Sequence, residues 1–217
     1  MSKNAAVSIA AVVGAIVLIV AVALLVVRPW ESQQHQAASG APVELVAEST
    51  HVLDDAGERA PVVVEFFDYE CPACGQFHPI VEDLRERYEG QVTFAVRYFP
   101  LQGHPNAVPA AAAAEAAAQQ GEFEAMHARL FETQAEWAGT EDAAATFRGY
   151  AEELGLDMAA YDEAVGAQET AERIAFDYQA GVDAGVQSTP TFFVDGEQLE
   201  LRDYADVETA IEAALAE

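Results

Sequence analysis

Hydrophobic residues change their spacing several times along this chain, and the first apolar stretch carries no charge. From Ala5 to Val27 only Ser8 interrupts it, and a helix over this stretch is roughly 34 Å long, enough to cross a bilayer core. We therefore predict a transmembrane signal anchor over residues 1–28, followed by a polar linker over 29–41. A cleaved signal peptide is the open alternative, although its apolar core normally has only about 7–15 residues.

Two later apolar runs have the pattern of strands. Val62–Phe67 is apolar except for Glu65, which is typical of a strand buried on both faces. Val92–Phe99 alternates between apolar and other residues. A helical stripe lies between them and begins at Pro72, a residue well suited to a first helical turn. A helix that connects two strands favours parallel pairing, so the pattern predicts an α/β fold.

A helical block is predicted over residues 105–184, where the apolar positions recur at intervals of three and four. Asn106 and Asp157 are placed to cap two of its helices. Thr140 is placed to start a third, before a stripe that contains Phe147. This block interrupts the order of strands and helices, so we expect an inserted helical subdomain.

Strand spacing returns near the end of the chain. A strand begins at Pro190, and Asp195-Gly196 is a two-residue hairpin signal that predicts an antiparallel partner strand. A last amphipathic helix contains Val207 and Ile211. A segment within 43–53 is expected to add an edge strand. Residues 42–217 are long enough for one domain with its own core, and we expect them to form one.

The only two cysteines of the 217 residues occur in the sequence Cys71-Pro72-Ala73-Cys74. The predicted strand delivers Cys71 to a helix N-terminus, where free N–H groups and the helix dipole stabilise a thiolate. A disulfide across two intervening residues closes a small ring, which constrains the unfolded chain little and suits redox exchange. The neighbouring Asp68 and Glu70 are interpreted as solvated loop residues.

The order of elements and this motif resemble the thioredoxin fold, and the helical insertion resembles that of DsbA-type thiol-disulfide oxidoreductases. The resemblance covers about residues 43–215 and rests on four segments: Val64–Cys74, His104–Ala107, Phe123–His127 and Gly185–Val194. A lone C-x-x-C is moderately specific, but the same motif with a later T-P-T-F-F strand is strong. The resemblance implies a thioredoxin-like α/β fold with an inserted α-helical subdomain, and the apolar N-terminal stretch predicts one transmembrane helix before it.

The resemblance also implies roles for individual residues. Cys71 is expected to be the nucleophile and the exposed sulfur, and Cys74 the buried resolving thiol with the higher pKa. Glu65 matches the buried acid of the family, which exchanges a proton with the resolving thiol. Thr189 and a cis Pro190 are expected to bind the client backbone as a short strand.

Two positions depart from the best-known oxidase of this family. Ala73 replaces a histidine that stabilises the reduced thiolate, so the disulfide is expected to be less oxidising. Thr189 replaces an aliphatic residue, as it does in disulfide isomerases and in some Gram-positive-type oxidases. We predict an oxidase that introduces disulfides into exported proteins, with an isomerase or reductase as the first alternative.

Two further alternatives belong to other classes of protein. One is a membrane-tethered binding protein or chaperone in which the dithiol is incidental. The other is a zinc or copper carrier, because Cys71, Cys74 and His78 share one helical face and His104 or His127 could supply another ligand. We favour neither, and we predict no metal site and no cofactor.

The charge narrows the range of partners. Ten basic residues against 37 acidic ones give a formal net charge of −27, which repels nucleic acid and anionic lipid headgroups and favours solubility. We expect a monomer, anchored by one span in the cell membrane, with its catalytic domain on the extracytoplasmic side. Its expected partners are exported proteins with free thiols and a membrane-bound redox partner, the latter implied by the resemblance alone.

Overall fold

The computed structural model describes residues 44–216. The predicted signal anchor and the predicted linker therefore lie outside the described residues. Within residues 44–216, no helix combines the length and the apolar character needed to cross a membrane.

A five-stranded sheet forms the centre of the described domain, with the strand order β1-β3-β2-β4-β5. The strands are β1 His51–Asp54, β2 Val62–Phe67, β3 Thr93–Tyr98, β4 Thr191–Val194 and β5 Glu197–Gln198. β2 pairs with β3 in parallel, as the connecting helix predicted, and the other neighbouring pairs are antiparallel. Asp195 and Gly196 both have positive φ in the tight turn between β4 and β5, which confirms the predicted hairpin.

Eight helices accompany the sheet in the described part of the chain. The first, α1, covers Pro72–Arg87 and the last, α8, covers Asp206–Leu215. Between β3 and β4 lie α2 Ala107–Ala118, α3 Phe123–Glu132, α4 Gln134–Trp137, α5 Ala144–Glu153, α6 Met158–Val165 and α7 Gln168–Asp183. These elements confirm the predicted α/β thioredoxin-like architecture with an inserted run of helices.

Of the three helix starts predicted in the insertion, one is confirmed, one is wrong in part and one is wrong. The Asp157 side chain accepts hydrogen bonds from the N–H groups of Ala159 and Ala160, which confirms it as the cap of α6. The prediction for Asn106 was wrong in part, because its side chain makes no cap bond to α2 and bonds to Glu70 and other groups instead. The prediction for Thr140 was wrong, because α5 begins at Ala144 after the N-cap residue Ala143. The Thr140 hydroxyl instead donates to the Trp137 carbonyl at 2.8 Å.

Alternation along β2 sorts its side chains between the two faces of the sheet. Val63 and Phe67 belong to the apolar cluster that also contains Cys74 and Leu84 of α1. Val64 and Phe66 belong to a second cluster on the opposite face. Glu65 follows the phase of Val63 and Phe67, so it points toward the face that α1 covers.

A buried ion pair joins the opposite face of the sheet to α7. Arg97 of β3 and Asp177 of α7 are both fully buried, and the Arg97 Nε donates to Asp177 Oδ1 at 2.6 Å. The second oxygen of Asp177 accepts from the Tyr98 N–H at 3.1 Å. Breaking such a pair leaves an uncompensated buried charge, so α7 is held firmly against the sheet.

Candidate active site

Cys71 is the N-cap residue of α1, and its backbone is extended with φ −70° and ψ 120°. Pro72 follows at the first helical position, where its missing N–H leaves no bond unmade. Ala73 is exposed in the same first turn. The Cys71 carbonyl accepts the first helical bond, from the Gly75 N–H at 3.1 Å. The strand-to-helix connection therefore puts the sulfur at the N-terminus of α1, as predicted.

The environment of Cys71 favours its thiolate. A hydrogen bond from the Cys74 thiol is the largest influence, and it lowers the pKa of Cys71 to about 5 against the opposing effect of burial. The backbone N–H groups of Cys74 and Ala73 act in the same direction. Both cysteines are free thiols in the structure, so this is the reduced state of the site.

The environment of Cys74 has the opposite effect. Burial is the main cause that raises the pKa of Cys74 well above its usual range, with help from the bond to Cys71 and the charge of Glu65. The Asp68 N–H lies 3.5 Å from its sulfur. The two sulfurs of one helical turn thus have widely separated pKa values.

Cys71 is less accessible than we predicted. Its residue is only 6% exposed, although Cys74 is completely buried. The Cys71 thiol donates to the carbonyl oxygen of Thr189 at 3.3 Å, so the loop before β4 covers most of the sulfur.

Glu65 lies beneath the dithiol and is 6% exposed. Burial raises its pKa to about 8, and the negative charges of Cys71 and Glu82 add to the effect. The carboxyl group is therefore protonated at neutral pH. The expectation that Glu65 is buried, with a raised pKa, is met on both points.

The loop that carries Thr189 and Pro190 lies directly against Cys71. The Thr189–Pro190 peptide bond is cis, as the resemblance implied. The Thr189 hydroxyl is buried and has no hydrogen-bond partner among the described residues.

Asp68 and Glu70 correct the sequence interpretation, because neither is a solvated loop residue. They are 2% and 4% exposed, since the helical insertion covers the loop between β2 and α1. Asp68 accepts hydrogen bonds from the Leu101 N–H at 2.8 Å and from His104 Nδ1 at 2.7 Å. Burial raises the pKa of Asp68, and these bonds oppose the rise.

Gln134 at the start of α4 is a site residue that the sequence did not reveal. Its Nε2 donates to the carbonyl oxygens of Tyr69 at 2.7 Å and Cys71 at 2.9 Å. No motif marks a single glutamine that lies far along the chain in a helix of four residues. Only the tertiary contact brings it to the active-site loop.

The histidines near the site are engaged in packing or in hydrogen bonds. His127 is buried, its Nδ1 lies 2.9 Å from the Tyr69 hydroxyl, and burial lowers its pKa well below the usual range. His78 stacks on Phe131 with ring centroids 4.8 Å apart. Within residues 44–216, no three His, Cys, Asp or Glu side chains are grouped so that they could hold a metal ion.

The fold and the reactive dithiol together define a thioredoxin-like α/β oxidoreductase. A family model described as thioredoxin matches residues 56–213, and the chain belongs to this family. A thioredoxin-like oxidoreductase from Silicibacter pomeroyi has 27% identity and a TM-score of 0.69, and the match covers 82% of this chain and 99% of that one. These findings confirm the predicted class of enzyme.

Two further solved structures share the fold. BdbD from Bacillus subtilis has 24% identity and a TM-score of 0.70, with coverage of 83% of this chain and 99% of that one. MdbA, a thiol-disulfide oxidoreductase from Corynebacterium diphtheriae, has 22% identity and a TM-score of 0.64, with coverage of 82% and 97%. Both matches confirm the fold that the resemblance implied.

Curated relatives match over a shorter region. A Na(+)/H(+) antiporter NhaA 3 from Salinispora tropica is 44% identical over 140 residues, which is 64% of this chain and 21% of that protein. The chain thus spans about a fifth of the length of the curated relatives that it matches.

Proposed function

We propose that this protein is an extracytoplasmic thiol-disulfide oxidoreductase that introduces disulfides into exported proteins through Cys71 and Cys74. The observation that carries the proposal is the geometry of the dithiol: Cys71 is the N-cap residue of α1, and Cys74 is completely buried one turn later. In keeping with this geometry, the pKa of Cys71 is lowered to about 5 and that of Cys74 is strongly raised. A thiolate that is stable at neutral pH stabilises the reduced enzyme and so favours transfer of the disulfide to a client.

The reaction begins with the oxidised protein. A client thiolate attacks the Cys71 sulfur, the bond between Cys71 and Cys74 breaks, and Cys74 leaves as a thiolate that takes up a proton. A second client thiolate then attacks the client sulfur of the mixed disulfide, and Cys71 leaves as a stable thiolate. The client loses two electrons and gains a disulfide, and the protein gains two electrons as its dithiol.

We assign Glu65 as the group that exchanges the proton with Cys74. It is a buried acid with a pKa of about 8, and it shares the strand face of Val63 and Phe67, which pack in the same apolar cluster as Cys74. An acid whose pKa lies near the working pH is suited to proton transfer in both directions.

Thr189 and Pro190 are assigned to client binding. The Thr189 carbonyl lies 3.3 Å from the Cys71 sulfur, so a peptide joined to that sulfur meets this backbone first. Pro190 contributes no N–H that could compete for the thiolate, while Pro72 and Ala73 hold the first turn of α1. Backbone pairing of this kind is tolerant of client sequence.

The proposed location follows from the uncharged stretch at Ala5–Val27, which we interpret as a single membrane anchor. The reduced dithiol must be reoxidised after each turnover, and we propose a membrane-bound redox partner for this step. We propose no ion transport, because the antiporter relatives share only about a fifth of their length with this chain.

A redox titration of the purified protein against glutathione tests the direction of exchange. An oxidase is expected to have a potential well above that of thioredoxin, which is about −270 mV. A potential near the thioredoxin value would favour the isomerase or reductase alternative.

Trapping of clients tests the chemistry itself. The Cys74→Ser variant is expected to accumulate mixed disulfides between Cys71 and exported proteins, and the Cys71→Ser variant is the matched control. A chaperone with an incidental dithiol would keep its function in Cys71→Ser and would trap nothing. Metal content after purification tests the metal-carrier alternative.

A further inference from the structure

Two backbone carbonyls of the active-site loop receive hydrogen bonds from one side chain of the helical insertion. The Gln134 Nε2 lies 2.7 Å from the Tyr69 oxygen and 2.9 Å from the Cys71 oxygen. Cys71 is the residue whose sulfur is reactive, so the insertion contacts the nucleophile through its own peptide group. The contact joins segments that are 63 positions apart in the sequence.

The helix beside this contact has a glycine that leaves space for the amide. A Cβ on Gly75 would lie 2.4 Å from Gln134 Oε1, and the next nearest atoms also belong to the Gln134 side chain. Glycine is less favourable than alanine in a helix interior. The space that a side chain on Gly75 would enter is therefore occupied by the Gln134 amide.

A second side chain joins the same two segments from the opposite direction. Glu70, in the active-site loop, accepts hydrogen bonds from the Gly139 N–H at 2.7 Å and from the Asn106 N–H at 2.6 Å. Gln134 lies in the insertion and donates hydrogen bonds to carbonyl groups of the active-site loop. Glu70 lies in that loop and accepts hydrogen bonds from N–H groups of the insertion. We call these two residues and their bonds the loop clamp.

We propose that Gln134 is a positioning residue for thiol-disulfide exchange, and that through the loop clamp it holds the Cys71 sulfur against the N-terminus of α1. This inference deepens the proposed function and rests on it. The N–H groups of Ala73 and Cys74 stabilise the thiolate only while the Cys71 peptide keeps its orientation. The helical insertion therefore sets the reactivity of the dithiol through the backbone of the active-site loop.

The test compares four single variants of the full chain. Gln134→Ala removes the amide, Gln134→Glu keeps its shape but replaces the donor by an acceptor, and Gly75→Ala displaces the amide from the helix side. Gln120→Ala is the matched control, because Gln120 also makes two bonds to one backbone, that of Asp157, and neither bond reaches the active-site loop.

The primary measurement is the pKa of Cys71, obtained from the ultraviolet absorbance of the thiolate as a function of pH. Gln134→Ala and Gly75→Ala are expected to raise this pKa by about one pH unit, and Gln134→Glu by more, because each weakens hydrogen bonds to a charged sulfur. The Gln120→Ala control is expected to leave it unchanged. Thermal unfolding of each variant reports any loss of stability separately.

The Gly75→Ala variant keeps the test decisive if Gln134 variants fold poorly, since alanine is the better helix former. In the Gln134→Ala background, Gly75→Ala should have no further effect on the pKa of Cys71. A lowered melting temperature with an unchanged pKa would overturn the proposal and leave Gln134 as a packing residue.

Exchange with a reduced dithiol peptide separates this proposal from the proposed function. If the oxidised wild-type protein fails to transfer its disulfide, the proposed function is wrong, whatever the variants do. If the wild type transfers its disulfide but the Gln134 and Gly75 variants keep its Cys71 pKa and exchange rate, only the role of Gln134 is wrong.

Discussion

At the scale of single residues, two sulfurs one helical turn apart have opposite acid-base behaviour. Cys71 gains hydrogen bonds at a helix N-terminus, whereas Cys74 is enclosed next to an acid. The difference needs no charged base, because the backbone and the burial supply it. The reactive sulfur is consequently ready at neutral pH while the resolving sulfur stays protonated.

The reduction potential should reveal this difference through its dependence on pH. Below the Cys71 pKa of about 5, reduction takes up two protons for two electrons, so the potential falls by about 59 mV per pH unit. Above it, one proton is taken up and the slope halves to about 30 mV. A titration against glutathione at several pH values measures the break, and a constant slope across pH 5 would contradict the assignment.

Glu65→Gln should stabilise the reduced protein at high pH. The folded pKa of about 8 exceeds the ordinary 4.5, so between these values the folded state keeps a proton that the unfolded state releases. Wild-type stability therefore falls as pH rises through this window, and the glutamine variant avoids the loss. We expect a gain on the order of 3–5 kcal/mol above pH 8 and little difference below pH 4.5.

Denaturant titrations across this pH range measure the gain, and Glu86→Gln on the exposed side of α1 is the control, expected within about 0.5 kcal/mol. The same Glu65→Gln variant should slow exchange by roughly tenfold to a hundredfold, because the proton of Cys74 loses its carrier. An unchanged exchange rate would remove Glu65 from the mechanism.

At the scale of elements, helices from different parts of the chain cover the two faces of the sheet. α1 brings the dithiol to one face, and α7 from the insertion packs on the other through Asp177. Gly181 of α7 is part of this close approach. A Cβ there would lie 2.6 Å from the Phe99 ring and 3.0 Å from the Phe66 ring.

Gly181→Ala should destabilise the fold even though alanine favours helices. The aromatic rings are themselves buried and cannot move aside cheaply, so we expect a cost of about 1–3 kcal/mol. Gly149→Ala in α5 is the matched control, because a Cβ there meets no atom within 4 Å, and it should gain about 0.5–1 kcal/mol. Equal effects of the two substitutions in denaturant titrations would show that α7 is not tightly packed.

At the scale of the whole molecule, acidic charge dominates. The chain carries a net charge of −27, and ion pairs use many of its arginines: Arg85, Arg87, Arg97, Arg129, Arg148, Arg173 and Arg202. The remaining acids repel one another, and this repulsion opposes the compact state.

Added salt should therefore raise the melting temperature. The Debye screening length is about 3 Å at 1 M salt and about 30 Å at 0.01 M, so high salt removes most of the repulsion between exposed acids. We therefore expect the melting temperature to rise by several degrees in sodium chloride. Sucrose at matched osmolality is the control, since it favours burial without screening charge. A melting temperature that falls with salt would mean that ion pairs outweigh the repulsion.

The sequence alone determined the elements and the reactive dithiol. The spacing of apolar residues located β2, β3, α1 and the hairpin at Asp195-Gly196, because helix and strand periods are local properties of the chain. The reactive pair Cys71 and Cys74 could also be recognised from the sequence, because its chemistry depends on residues that are adjacent in the chain. The position of Glu65 in an apolar strand likewise predicted a buried acid.

Tertiary structure decided what surrounds those residues. The burial of Asp68 and Glu70 and the contact of Gln134 with Cys71 arise where the insertion folds back over the active-site loop. Periodicity contains no information on such contacts, because polar residues in a loop look the same whether water or a distant N–H group binds them. The sequence thus specified which sulfur reacts, whereas the packing of distant segments specified how that sulfur is held and shielded.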